Sequence, residues 1–274
     1  MTFKSVLVHV SPLAEHADRL QAAADLAARF EATLVGVGAE GIPTMVTGDS
    51  FGLISADWVG AMREIMETDL KTARNAFKAA APCDNAVWRA GRGAPSLVVA
   101  ASAGLGDLIV VGADVATEID SQRGCDAGEV MLTAGRPVLR VPNGRSHLAA
   151  EHIVVAWKNT REARRAVEDA LPFLIRASDV VLLVITAEAE KDDAVRLAED
   201  VAETLKRHGA PVRVMWQAAG RTEASETILE TARRIGADLI VCGGYGHSRF
   251  GEWVFGGVTR DLLHQNERFV LFSH

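Results

Sequence analysis

Residues 238–263 read DLIVCGGYGHSRFGEWVFGGVTRDLL, and this stretch decides the fold. Its first part, Asp238 to Cys242, is a short apolar run without alternation, which is typical of a parallel strand covered on both faces. Glycines follow with the spacing Gly-x-x-Gly-x9-Gly, at Gly243, Gly246 and Gly256. Because ligands of open α/β sheets bind beyond the carboxyl ends of the strands, these glycines predict a ligand loop.

The glycine loop has the composition of an anion cradle. We expect Gly243 and Gly246 to adopt positive φ and to bring bare N–H groups close to a ligand. Gly256 and Gly257 lead into a helix start near Thr259, and a helix N-terminus favours anions, most naturally phosphate. The spacing fits neither a dinucleotide-binding fingerprint nor a P-loop. The alternative is that the glycines only shape a tight connection between strand and helix.

Composition excludes several classes of protein. The chain has 274 residues, about twice a common domain size of roughly 100–150 residues. No apolar run approaches the roughly 18 residues of a membrane span, and no signal segment precedes the first apolar run, so we expect a cytoplasmic protein without a membrane partner. The net charge is −7 and neither half is basic, which argues against nucleic acid. The three cysteines show no Cys-x-x-Cys spacing, so neither a disulfide framework nor a metal site is expected.

An internal repeat divides the chain into two units. Three segments recur in order: residues 5–10 at 152–157, 107–110 at 238–241, and 136–139 at 268–271. The repeat predicts a first unit over residues 1–145 and a second over residues 149–274.

Each unit alternates short apolar runs with amphipathic segments, which predicts α/β architecture with two tandem open parallel five-stranded sheets and helices on both faces. The predicted strands are residues 6–10, 33–37, 87–89, 108–112 and 138–141, then 153–157, 180–185, 212–216, 239–242 and 269–272.

Helical periodicity predicts which side chains are buried and where helices begin. One stripe between residues 57 and 80 is expected to pack in the core: Trp58, Met62, Ile65, Leu70, Ala73 and Phe77. Asn159, with Glu162 three residues later, predicts a helix N-cap. His9 lies inside a strand and is expected to be a packed core histidine.

Five strands with this spacing, the glycine loop after the fourth and the tandem duplication resemble the two-domain universal stress proteins. The resemblance implies a five-stranded parallel sheet in each unit, with the two units packed as a pseudo-dimer inside one chain. A homodimer of whole chains stays open. It also implies ATP or another nucleotide as the ligand. The site residues it implies are Gly243, Gly246, Gly256, Gly257, Val258, Ala156, Lys158 and Ile185. Arg249 is added because its fork of donors suits oxyanions.

Two residues depart from the pattern of the ATP-binding members. Gly257 stands where they carry Ser or Thr, so a hydroxyl donor to phosphate is missing. Lys158 stands where they usually carry Asp, and a lysine cannot accept a hydrogen bond. A ligand other than ATP therefore stays open.

The first unit departs further and is predicted to have a degenerate nucleotide loop. Gly112 matches Gly243, but Val115 stands where Gly246 should be. Acidic residues crowd this loop and would repel phosphate: Asp114, Glu118, Asp120 and Asp126.

Three functions remain open on the sequence. The first is a nucleotide- or phosphate-responsive binding or regulatory protein of stress physiology. The second is a slow ATP hydrolase or phosphotransferase, for which Asp261 and Glu252 are the nearest acids. The third is an interaction module with a vestigial pocket. No catalytic residue is predicted, because no acid is placed in sequence to orient His247, and binding without turnover is favoured.

Overall fold

The computed structural model describes residues 2–13, 17–40, 56–81, 85–113, 124–220, 223–244 and 257–274. Within these residues the chain forms ten strands: Ser5–His9 (β1), Thr33–Glu40 (β2), Ala86–Arg92 (β3), Leu108–Gly112 (β4), Val138–Val141 (β5), His152–Trp157 (β6), Asp179–Thr186 (β7), Val212–Ala218 (β8), Leu239–Gly243 (β9) and Phe269–Ser273 (β10). The same residues include eight α-helices: Ala17–Phe30 (α1), Ala56–Ala80 (α2), Pro95–Ala101 (α3), Ala127–Ala134 (α4), Arg161–Leu174 (α5), Lys191–Arg207 (α6), Ala224–Arg234 (α7) and Gly257–His264 (α8).

The strands form one sheet in the order β3-β2-β1-β4-β5-β10-β9-β6-β7-β8. Within each half all neighbours are parallel, which confirms the predicted α/β fold class. The two halves meet where β5 pairs with β10 in antiparallel orientation, with Leu139 opposite Leu271. The two five-stranded sheets are therefore continuous, and their carboxyl edges point in opposite directions.

Both faces of the sheet are covered, which explains the unalternated apolar runs of the central strands. All five residues of β4 are buried, and successive side chains enter opposite cores. Helices α1, α2, α5 and α6 contribute to the core on one face. Helices α3, α4, α7 and α8 contribute to the core on the other face. In β1, for example, Val8 packs in the first core and Leu7 in the second.

An aromatic cluster joins the two halves on one face of the sheet. The ring centroids of Phe3 and Phe30 lie 5.1 Å apart, and that of Phe173 on α5 lies 5.3 Å from Phe3. Beside the cluster, Arg29 Nη1 donates to the carbonyl oxygen of Leu148 at 3.0 Å. Arg176 Nη1 donates in turn to the carbonyl oxygen of Arg29 at 3.1 Å. These contacts tie the first helix of each half to the other half, as expected for a pseudo-dimer within one chain.

The predicted core stripe of α2 is wrong at one position. Ile65 is 43 % exposed, whereas the next residue, Met66, is 8 % exposed. Ala73 and Phe77 are buried as predicted. One residue turns a helical position by about 100°, so Met66 takes the buried position that was predicted for Ile65. The side chain of Trp58 lies outside the described residues.

Among the residues that the structure describes, no helix combines the length and apolar character needed to span a bilayer.

Candidate functional site

A cavity of about 360 Å³ opens at the carboxyl edge of the second half. It lies beyond the ends of β6, β7 and β9, and the first turns of α5, α7 and α8 close it from the side. Its volume falls within the roughly 300–1,000 Å³ of small-molecule sites. The described residues that line it are Ala156, Trp157, Lys158, Thr160, Glu162, Ala163, Leu183, Ile185, Ala224, Ile228, Cys242, Gly243, Gly257, Val258 and Thr259.

Six of the nine residues predicted from the sequence line this one cavity: Ala156, Lys158, Ile185, Gly243, Gly257 and Val258. They come from three strand ends and one helix start that are far apart in the sequence. The other three predicted residues, Gly246, Arg249 and Gly256, lie outside the described residues. The structure thus brings the six together, and their role in binding stays a prediction.

The first turn of α8 faces the cavity with its backbone. Gly257, Val258 and Thr259 are the first residues of this helix, and Thr259 is 5 % exposed. The first N–H groups of a helix have no partner within the helix, and they carry the positive end of its dipole. This part of the cavity is suited to an anion, as the sequence predicted for the helix start.

Gly243 has a different role from the one predicted. Its φ does not lie in the left-handed region, so the expected positive φ is wrong. A Cβ at this position would lie 2.6 Å from the backbone nitrogen of Ala163 and 2.9 Å from the carbonyl oxygen of Glu162. The glycine is required because the first turn of α5 packs directly against the end of β9.

The N-cap of α5 is Thr160 and not Asn159. The Thr160 hydroxyl oxygen accepts from the backbone N–H of Ala163 at 3.3 Å. The Asn159 side chain instead accepts at 2.6 Å from Arg164 Nη1. The predicted cap is therefore wrong by one residue, because Asn and Thr are both good caps and the sequence does not distinguish adjacent ones.

Glu162 is the one acidic residue among the described residues that line the cavity. The residue is 8 % exposed, and its Oε1 lies 3.2 Å from Arg161 Nε. Burial acts to raise the pKa of Glu162, but hydrogen bonds from its own backbone N–H and from Thr160, together with the charge of Arg161, outweigh burial and lower the pKa. The carboxylate is therefore ionised at neutral pH. Sequence reasoning had treated it only as the partner of a helix cap.

The remaining wall is largely apolar. Leu183, Ile185 and Ile228 contribute aliphatic surface from two strands and a helix. Burial raises the pKa of the Cys242 thiol to about 12, so this sulfur is neutral and its Sγ donates to the Gly243 carbonyl oxygen at 3.2 Å. The cavity thus offers an apolar body with charged or polar groups at its margins.

Of the two acids considered for hydrolysis, Asp261 does not line the cavity. Its Oδ2 accepts from the Ser225 hydroxyl at 2.6 Å. Glu252 lies outside the described residues. Within the described part of the chain, no group of three or more His, Cys, Asp or Glu residues could hold a metal ion.

The first half carries a larger side chain at one position that matches the cavity, His9. The repeat pairs His9 with Ala156, and the strand register agrees, because Val6 lies opposite Leu108 as Ile153 lies opposite Leu239. His9 is fully buried, which confirms the prediction of a core histidine. Asp126 caps α4 by accepting from the Glu129 N–H at 2.7 Å. Val115 and the acids at 114, 118 and 120 lie outside the described residues.

The fold and the cavity define a doubly wound α/β protein with a small-molecule-sized cavity at the sheet edge of its second half. Residues 150–271 match the model of the Universal stress protein family. The resemblance drawn from the sequence is therefore confirmed over the matched residues of the second half, which form a universal stress protein domain.

Solved structures share the fold over the whole chain. A universal stress protein from Archaeoglobus fulgidus is 17 % identical with a TM-score of 0.73, covering 98 % of this chain and 95 % of its own. A functionally unknown protein from Pseudomonas aeruginosa is 14 % identical with a TM-score of 0.59, covering 99 % and 92 % respectively. At these identities the likeness concerns the fold alone. No curated protein matches the sequence.

Proposed function

We propose that the second half binds a nucleotide or a related phosphate ligand in this cavity, and that occupancy regulates the partners of a cytoplasmic stress-response protein. The observation that carries the proposal is that six positions implied by the family resemblance line one cavity of about 360 Å³. The start of α8 suits the phosphate end, and the apolar wall suits the flat body of a base. The first half acts as a scaffold.

One binding site per chain is the central expectation of this proposal. Calorimetric titration of the full chain with ATP, ADP and inorganic tripolyphosphate should give a stoichiometry of one for each ligand that binds. Two equivalent sites would contradict the scaffold role of the first half. Absence of binding by all three, with no nucleotide found by mass spectrometry of the native protein, would instead support an interaction module with a vestigial pocket.

Gly257→Ser should tighten ATP binding by up to about two decades. A hydrogen bond to a charged group contributes roughly 1.5–3 kcal/mol, and the serine hydroxyl would add one donor beside the start of α8. Among the described residues, the nearest atom to an added Cβ is Glu223 Oε2 at 3.8 Å and φ is not positive, so these residues leave space for the change.

The matched control is Gly257→Ala, which adds the Cβ without the hydroxyl. Calorimetry should show tighter ATP binding for the serine variant and no comparable gain for the alanine variant. Equal affinities for the two variants would mean that no phosphate lies within reach of residue 257.

A further inference from the structure

The charge of Glu162 is an unusual feature of an otherwise apolar cavity. Among the lining residues that the structure describes, it is the only carboxylate. Only 11 % of its side chain is exposed, so it is held within the protein and does not extend into bulk water. A buried carboxylate is costly unless donors surround it.

The position of this carboxylate is fixed by its surroundings. The backbone of Glu162 packs on Gly243 at the end of β9, where a Cβ would meet its carbonyl carbon at 2.6 Å. The next residue, Ala163, donates its N–H to Thr160. The backbone of Glu162 is therefore held on two sides. A fixed backbone allows a side chain to bind a ligand group with a defined geometry.

Counting acceptors leaves room for a ligand. A carboxylate offers about four acceptor positions. Among the described residues, Arg161 Nε donates to Oε1 of Glu162 at 3.2 Å. Thr160 and the N–H of Glu162 also favour the charged form. These described groups leave acceptor capacity for a donor on a ligand.

The charge also decides which part of a ligand can face Glu162. An ionised carboxylate repels a phosphate and accepts hydrogen bonds but cannot donate them. Lys158, the only lysine or arginine among the described lining residues, cannot accept at all. A ligand whose anionic end lies at the start of α8 must consequently present a donor to the α5 side of the cavity.

We propose that Glu162 determines ligand specificity by accepting a hydrogen bond from an N–H or O–H group on the part of the ligand away from its phosphates. The inference rests on the proposed function and refines it to a class of ligand: a mononucleotide in which an exocyclic amine of the base or a ribose hydroxyl faces this carboxylate. Phosphate alone should gain nothing from Glu162.

The test is a titration of the full chain and of Glu162→Gln with four probes. ATP carries both kinds of donor, inosine triphosphate lacks the exocyclic amine, 2′,3′-dideoxy-ATP lacks the ribose hydroxyls, and tripolyphosphate lacks both. Glu162→Gln should weaken ATP binding by about ten- to a hundredfold and leave tripolyphosphate within about twofold. Glu168→Gln removes an exposed carboxylate from the same helix and should change neither.

The two nucleotide analogues identify the donor. In the unaltered protein one of them should bind at least about tenfold more weakly than ATP, and Glu162→Gln, which keeps only an uncharged acceptor, should reduce that difference. This comparison separates recognition from a structural role, because loss of helix capping would weaken all four probes together. It also gives an answer from the unaltered protein alone if the variant does not fold.

Three outcomes would overturn the inference. Glu162→Gln could bind ATP as tightly as the unaltered protein, or lose ATP and tripolyphosphate equally, or the unaltered protein could bind ATP and both analogues equally. None of these three outcomes contradicts the proposed nucleotide site. Failure of the unaltered protein to bind any of the four probes would overturn the proposed function and this inference together.

Discussion

Gly243→Ala is expected to destabilise the second half by about 1–3 kcal/mol and to weaken ligand binding in the cavity. The added methyl group would lie 2.6 Å from the backbone nitrogen of Ala163, and a backbone atom cannot move aside as the end of a flexible side chain can. Overpacking of a well-packed site typically costs about this much free energy. Relief would require α5 to move away from β9, which would displace Thr160 and Glu162 from the cavity wall.

The measurement is the free energy of unfolding from urea denaturation, together with the affinity for ATP. Gly257→Ala is the matched control, because the nearest atom to its added Cβ is 3.8 Å away. Since Gly257 begins α8, alanine there should leave stability unchanged or raise it by a few tenths to about 1 kcal/mol. Equal stability of the two variants would mean that Gly243 is not needed for the close packing of α5.

The strands could be predicted because burial on both faces removes ambiguity from their sequences. The runs at 108–112 and 239–242 are apolar at every side-chain position, and the structure places a strand at each. Pairing of β5 with β10 could not be predicted in the same way. The pairing of two edge strands depends on how the two folded units pack together. A local apolar run does not indicate which strand of the other unit will be its neighbour.

Six of the fifteen described residues that line the cavity were predicted, because they lie at strand ends and at the glycine-rich start of α8. The walls contributed by α5 and α7 were missed. Ala224 and Ile228 on α7 line the cavity, yet a small and an aliphatic residue on a helix have no feature that separates a cavity wall from ordinary core. Helix α7 packs on β6, a strand far from it in the sequence. Its position at the cavity therefore follows only from the three-dimensional structure.

Gly243 shows that a residue lining the cavity can be predicted there for the wrong physical reason. Glycine permits positive φ and also permits close backbone approach, and the sequence does not distinguish these uses. The structure shows close approach, against Ala163. Glu162 is a different case, because it was expected only as the partner of the Asn159 cap and it lines the cavity in the structure.

Ala156→His should abolish detectable ligand binding while the protein stays folded. The first half already carries histidine at the matching strand position, because His9 lies there and is fully buried. Ala156 lines the cavity, so a histidine at this position would project into space that the ligand needs. Forcing out or distorting a ligand by this much bulk should cost about a hundredfold in affinity or more.

The control for this variant is Ala156→Ser, which adds a single oxygen at the same position and should keep most of the affinity. ATP titration measures binding, and circular dichroism with thermal unfolding establishes that each variant is folded. A folded histidine variant that binds ATP as tightly as the unaltered protein would place the ligand elsewhere on the chain. Loss of binding in the histidine variant alone would show that the carboxyl end of β6 is part of the site, and it would support the proposal that His9 prevents the same binding in the first half.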